Sequence, residues 1–92
     1  MKKYLIEREV PEVGALSPEQ MREVSARSND ALRQIGPNIQ WIESFVAQDK
    51  TFCIYLAENE SLIRQHAEIS GIPATKITEI GQRIDPTTGL PS

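Results

Sequence analysis

The stretch Ile39–Ala57, IQWIESFVAQDKTFCIYLA, holds the single Trp, the single Cys, both Phe and one of the two Tyr. It reads as two β-strands joined at Gln48-Asp49-Lys50. Strand side chains point alternately to opposite faces, so the hairpin divides into two sets. One set is Ile42, Ser44 and Val46, followed by Phe52, Ile54 and Leu56; the other is Trp41, Glu43 and Phe45, followed by Cys53 and Tyr55. A hairpin in water needs one apolar face, so the second face here must be covered or used.

The flanking segments supply the rest of one small fold. Lys2–Val10 alternates Tyr4, Ile6 and Arg8 against Leu5, Glu7 and Glu9, which predicts a first strand ended by Pro11. Glu12–Leu16, with Gly14, is then a short loop. Ser17-Pro18-Glu19-Gln20 combines a capping serine, a proline at the first helical position and a glutamine that completes a capping box. Met21, Val24, Ser28, Ala31, Leu32 and Ile35 recur at helical spacing up to the Gly36-Pro37 stop. Asn59 caps a second predicted helix with inner positions Leu62, Ile63, His66, Ala67 and Ser70, ended by Gly71 and Pro73. Thr75–Ile84 reads as a last strand with a bulge at Gly81.

The order βαββαβ predicts an α+β, ferredoxin-like domain, a four-stranded antiparallel sheet with both helices on one face. We place this domain at residues 1–85 and a polar, turn-rich tail at 86–92. The other sheet face is left bare, and the cover expected in a chain of 92 residues is a second copy, giving a homodimeric α/β barrel through the open sheet face.

The net charge of −3, without a Lys/Arg cluster, argues against nucleic acid or an anionic membrane surface as partner. One cysteine excludes an internal disulfide, and no apolar run reads as a signal peptide or a membrane span. These features predict a cytoplasmic protein.

The set Tyr4/Ile6, Ile42/Val46 and Phe52/Ile54/Leu56 is the more apolar, and is therefore expected on the helix side. Glu7, Glu9, Trp41, Glu43, Phe45, Cys53 and Tyr55 would then line the open side, apart from His66. The reverse assignment would bring Cys53, Tyr55, Glu7 and His66 into one cleft between helix and sheet. Candidate metal ligands by residue type are His66, Cys53, Glu7 and Glu43, since nickel and zinc accept imidazole with thiolate or carboxylate. No pair has a local ligand spacing such as C-x-x-C. Read structurally, His66 fills the helix–sheet boundary and Cys53 is a small buried hydrophobe. Tyr55, Trp41 and Phe45 are candidate walls of a ligand pocket, or the core of a dimer.

The runs WIESFVAQDKTFCIY, IRQHAEISGIPATKI and IDPTTG, with the opening KYLIERE and the SPEQM helix start, resemble the bacterial domain-of-unknown-function family 4242, a family of small nickel-binding or nickel-responsive proteins. The resemblance covers nearly the whole chain and implies a ferredoxin-like dimer, some members of which bind a divalent transition metal. Matching positions are Glu7, Trp41, Ser44, Cys53, Tyr55, His66, Gly71, Pro73 and Asp85-Pro86. By that resemblance, Glu43 stands where relatives often carry histidine and Phe45 where they often carry tyrosine, which removes an imidazole and a phenol from the neighbourhood of any site. Two readings follow. One is a homodimer that holds a nickel ion; the other is a small-molecule binder or enzyme that uses the sheet–helix pocket, and whether it is an enzyme is left open.

Overall fold

The computed structural model describes residues 1–91. Its strands are β1 (Lys2–Glu9), β2 (Ile39–Val46), β3 (Lys50–Ala57) and β4 (Lys76–Ile80), and its α-helices are α1 (Pro18–Ile35) and α2 (Glu60–Ser70). One 3-10 turn, Val13–Ala15, precedes α1, and another, Pro86–Gly89, lies in the tail. All strand pairs are antiparallel, in the order β2-β3-β1-β4. Both helices begin as the sequence predicts. Ser17 Oγ accepts from Gln20 N at 3.1 Å while Ser17 N donates to Gln20 Oε1 at 2.9 Å, and Asn59 Oδ1 accepts from Leu62 N at 3.2 Å. Gly36 (φ 104°) and Gly71 (φ 74°) close the helices in backbone conformations that L side chains avoid.

Register decides which face is which. Tyr4 lies opposite Tyr55 and Ile6 opposite Cys53, so these four side chains share a face. That face is the buried one: Tyr4, Ile6, Cys53, Tyr55 and Ala57 are at most 5% exposed and pack with Ile63 of α2. The expected helix-side set therefore holds for Tyr4 and Ile6 and fails for Phe52, Ile54 and Leu56, which lie on the open face. A bulge between Trp41 and Glu43 shifts the β2–β3 register by one, so Trp41 pairs with Tyr55 and Ser44 with Cys53 on the inner side. Ile42 and Phe45 are pushed outward, 51% and 57% exposed. The last strand is also shorter than the predicted Thr75–Ile84, and Gly81 lies beyond it rather than in a bulge. Ile80 pairs with Lys3, so β1 has almost run out of partners there.

The loop before α1 is stitched to the β2–β3 turn. Val10 N donates to Asp49 O, Glu12 N to Asp49 Oδ1 and Gly14 N to Gln48 O, at 2.8 to 3.1 Å. A Cβ on Gly14 would lie 2.6 Å from Ala47 O, so only glycine permits this approach. These contacts hold one end of the helix–sheet interface in place.

Candidate functional site

Between α1 and the inner sheet face lies a cavity of about 190 Å³. Met21, Val24 and Ser28 line it from α1, and Arg8, Trp41, Cys53 and Tyr55 from the sheet. Val13, Leu16, Gly71, Ile72 and Pro73 are also part of the lining. The wall is mostly apolar with a few polar groups facing in, the composition of small-molecule sites.

Arg8 is the chemically unusual member. It alternates onto the same face as Tyr4 and Ile6 and is only 3% exposed. Its Nη1 donates to the Ile72 and Pro73 carbonyls, both at 3.2 Å, which ties the α2–β4 loop to β1. Its guanidinium carbon lies 5.7 Å from the centre of the Tyr55 ring, within cation–π range. Among the described residues no carboxylate pairs with it. Its Nη2 is buried and makes no hydrogen bond of good geometry there. A buried charge without a counter-charge is costly, and folded proteins normally pair it.

At the cavity wall, Ser28 joins two ring systems. Its Oγ lies 3.4 Å from the Tyr55 hydroxyl and 3.1 Å from His66 Nε2. His66 Nε2 also lies 3.2 Å from the Ser28 carbonyl oxygen. A carbonyl only accepts, so Nε2 carries the proton and Nδ1 is a buried lone pair without a donor among the described residues. Burial, reinforced by the Arg8 charge, pushes the His66 pKa below its ordinary value against the opposing pull of the Ser28 carbonyl. The imidazole is therefore neutral at pH 7. Burial raises the Tyr55 phenol above its ordinary value, opposed by the Ser28 hydroxyl and by Arg8. Trp41 lies nearly parallel to Tyr55, with ring centres 6.4 Å apart, and its Nε1 donates to Ser44 Oγ at 2.9 Å.

The expected site residues are thus divided by the sheet. Trp41, Tyr55 and Cys53 line the cavity, and His66 packs against Tyr55 behind it at 5.4 Å between ring centres. Phe45 is on the other face, opposite Phe52, and does not form part of the pocket. Glu7 is also on the open face, where Lys50 pairs with it at 3.3 Å, and Glu43 is exposed there opposite Ile54. Among the described residues no three His, Cys, Asp or Glu side chains converge as a metal site. His66 offers one buried nitrogen, near a fixed positive charge that disfavours a cation. The donors of one chain do not fit a resident nickel ion. Sequence reasoning named neither Arg8 nor Ser28 as a site residue, although the alternation of β1 already put Arg8 on the inner face.

Residues 4–80 match the family described as Nickel responsive protein SCO4226-like. The chain belongs to that family. No curated protein sequence matches the chain. The fold is similar to the crystal structure of SCO4226 from Streptomyces coelicolor A3(2), with a TM-score of 0.74 and 10% identity over 89% of this chain and 99% of that one. At that identity the likeness bears on the fold alone. The family and the ferredoxin-like α+β architecture expected from the sequence are both found. Among the described residues no helix is long and apolar enough to cross a membrane.

Proposed function

We propose that this SCO4226-like protein is a small-molecule binding protein whose ligand occupies the cavity between α1 and the sheet. The observation that carries this reading is the cavity itself, largely apolar and with the polar groups of Arg8, Ser28 and Tyr55 gathered at its wall. A cavity of about 150 Å³ lined by apolar side chains accommodates benzene. By that measure, 190 Å³ suits a compound with a single ring or a short branched chain. Trp41, the only tryptophan, lines the wall and reports on occupancy. A fluorescence titration with neutral and charged single-ring compounds is expected to give saturable changes that disappear in Val24→Phe, which fills the space. Saturable binding that survives Val24→Phe, or none with any compound, would remove this reading.

Two copies pairing through their open sheet faces would cover a surface that otherwise exposes Ile42 and Phe45 and leaves Leu5, Phe52 and Ile54 half-buried. Sedimentation is expected to show a dimer that Phe45→Glu with Ile54→Glu converts to a monomer, whereas a monomeric wild type would refute the pairing.

Nickel binding is the second reading, and membership of a nickel-responsive family is what favours it. It would draw on His66, Cys53, Glu7 and Glu43, which a single chain keeps on two sides of the sheet.

A further inference from the structure

Arg8 allows the ligand class to be narrowed. We infer that the cavity takes an organic monocarboxylate about the size of benzoate, its carboxylate drawn to the buried charge of Arg8, which lines the wall. The inference rests on the reading of the cavity as a ligand site. Arg8 places one full positive charge inside an apolar enclosure, and no acidic side chain lines that enclosure. Folding tolerates such a charge only partly solvated by the Ile72 and Pro73 carbonyls. Those two carbonyls accept from Nη1 and fix the plane of the guanidinium, so its charge is held in place. Donors held in place before the ligand arrives contribute more than donors that must be ordered on binding.

The same facts select among anions. A single buried positive charge balances a single negative one, and the dianion that makes up part of inorganic phosphate at pH 7 would carry excess charge into the low-dielectric wall formed by Val13, Leu16, Met21 and Val24. An inorganic anion would also leave that wall unfilled. A carboxylate on a ring or branched carbon body satisfies both halves of the site. Arg27, exposed and on the cavity rim, adds a second positive charge that attracts an anion on approach.

The test is calorimetric titration of the full chain with benzoate, benzamide and inorganic phosphate at pH 7, followed by the same series on Arg8→Met and Arg8→Gln. Benzoate and benzamide share size and shape and differ in charge. Wild type is expected to bind benzoate at least about tenfold more tightly than benzamide, as attraction to a buried opposite charge implies. Phosphate is expected not to compete. Either Arg8 variant should abolish the preference for benzoate over benzamide. Equal affinity for benzoate and benzamide in wild type would overturn the carboxylate assignment while leaving the cavity as a neutral-ligand site. Phosphate binding as tightly as benzoate would overturn the requirement for an organic body. Absence of binding by both ring compounds would overturn the cavity reading and this inference together. The wild-type comparison decides the matter even if neither variant folds.

Discussion

Lowering the pH from 7.5 to 5 should cost stability through one residue, His66. Its ring is fully buried and faces Arg8 from β1, Ser28 from α1 and Tyr55 from β3, with no acidic side chain among these neighbours. Burial and the Arg8 charge hold its folded-state pKa below the value of about 6.5 expected in the unfolded chain. Above that pH the imidazole is neutral in both states and contributes no slope. Below it the unfolded chain binds a proton that the folded chain refuses, so stability falls as pH falls, down to the folded-state pKa. One proton sets a ceiling of about 1.4 kcal/mol per pH unit, which integrates to about 1.7 kcal/mol between pH 6.5 and 5 because the unfolded imidazole is only half protonated at the upper limit. Urea unfolding at fixed protein concentration, at pH 7.5, 6.5, 5.5 and 5, measures this directly. His66→Gln keeps an N–H for the Ser28 carbonyl and has no proton to gain, so it is the control. Wild type should lose stability more steeply than the variant over this window. Parallel curves, or a wild type that gains stability on acidification, would refute the assignment of a buried, neutral His66.

Other outcomes follow from packing and from the site. Ile63, fully buried where α2 meets the sheet, should cost about 2–5 kcal/mol on substitution by alanine, measured by urea unfolding; a loss below 1 kcal/mol would contradict the packing described. Gly14→Ala should destabilise by about 1–3 kcal/mol, because its Cβ meets backbone at Ala47 rather than a movable side chain. An unchanged unfolding midpoint would show that the loop before α1 is not held as described. Untagged protein equilibrated with nickel and then desalted should retain well under one ion per chain by elemental analysis. About one ion per chain, lost in His66→Ala and in Cys53→Ser, would favour the nickel reading over the cavity.

Local signals carried most of the fold. The capping box at Ser17 and Gln20, the Asn59 cap and the Gly36 and Gly71 stops act within a few residues, and both helices begin and end where those residues place them. The orientation of the hairpin was less legible because both of its faces are apolar. Phe52, Ile54 and Leu56 are individually more hydrophobic than Cys53 and Tyr55, yet pairing with β1 turns the latter inward. Alternation within a strand says which residues share a face, and only the partner strand says which face is covered. The β2 bulge compounds this, since it returns Ser44 to the same side as Trp41 and sends Phe45 outward. Trp41 and Tyr55 were recognisable as pocket residues from residue type. Arg8 was not, because an arginine on a strand is ordinarily an exposed residue. Its position two residues beyond Ile6 on the buried face was the available clue, and its significance depends on the α2–β4 loop and the absence of a carboxylate nearby, both set by tertiary structure.

The central claim is that the sheet–helix cavity is the ligand site, and the most direct measurement is a map of nuclear magnetic resonance shifts in ¹⁵N-labelled protein titrated with benzoate. The account predicts saturating changes concentrated at the Trp41 indole N–H and at Arg8, Val24 and Tyr55, the side chains that enclose the cavity. Changes confined to Leu5, Phe52 and Ile54 on the open face, or none at saturating benzoate, would contradict it.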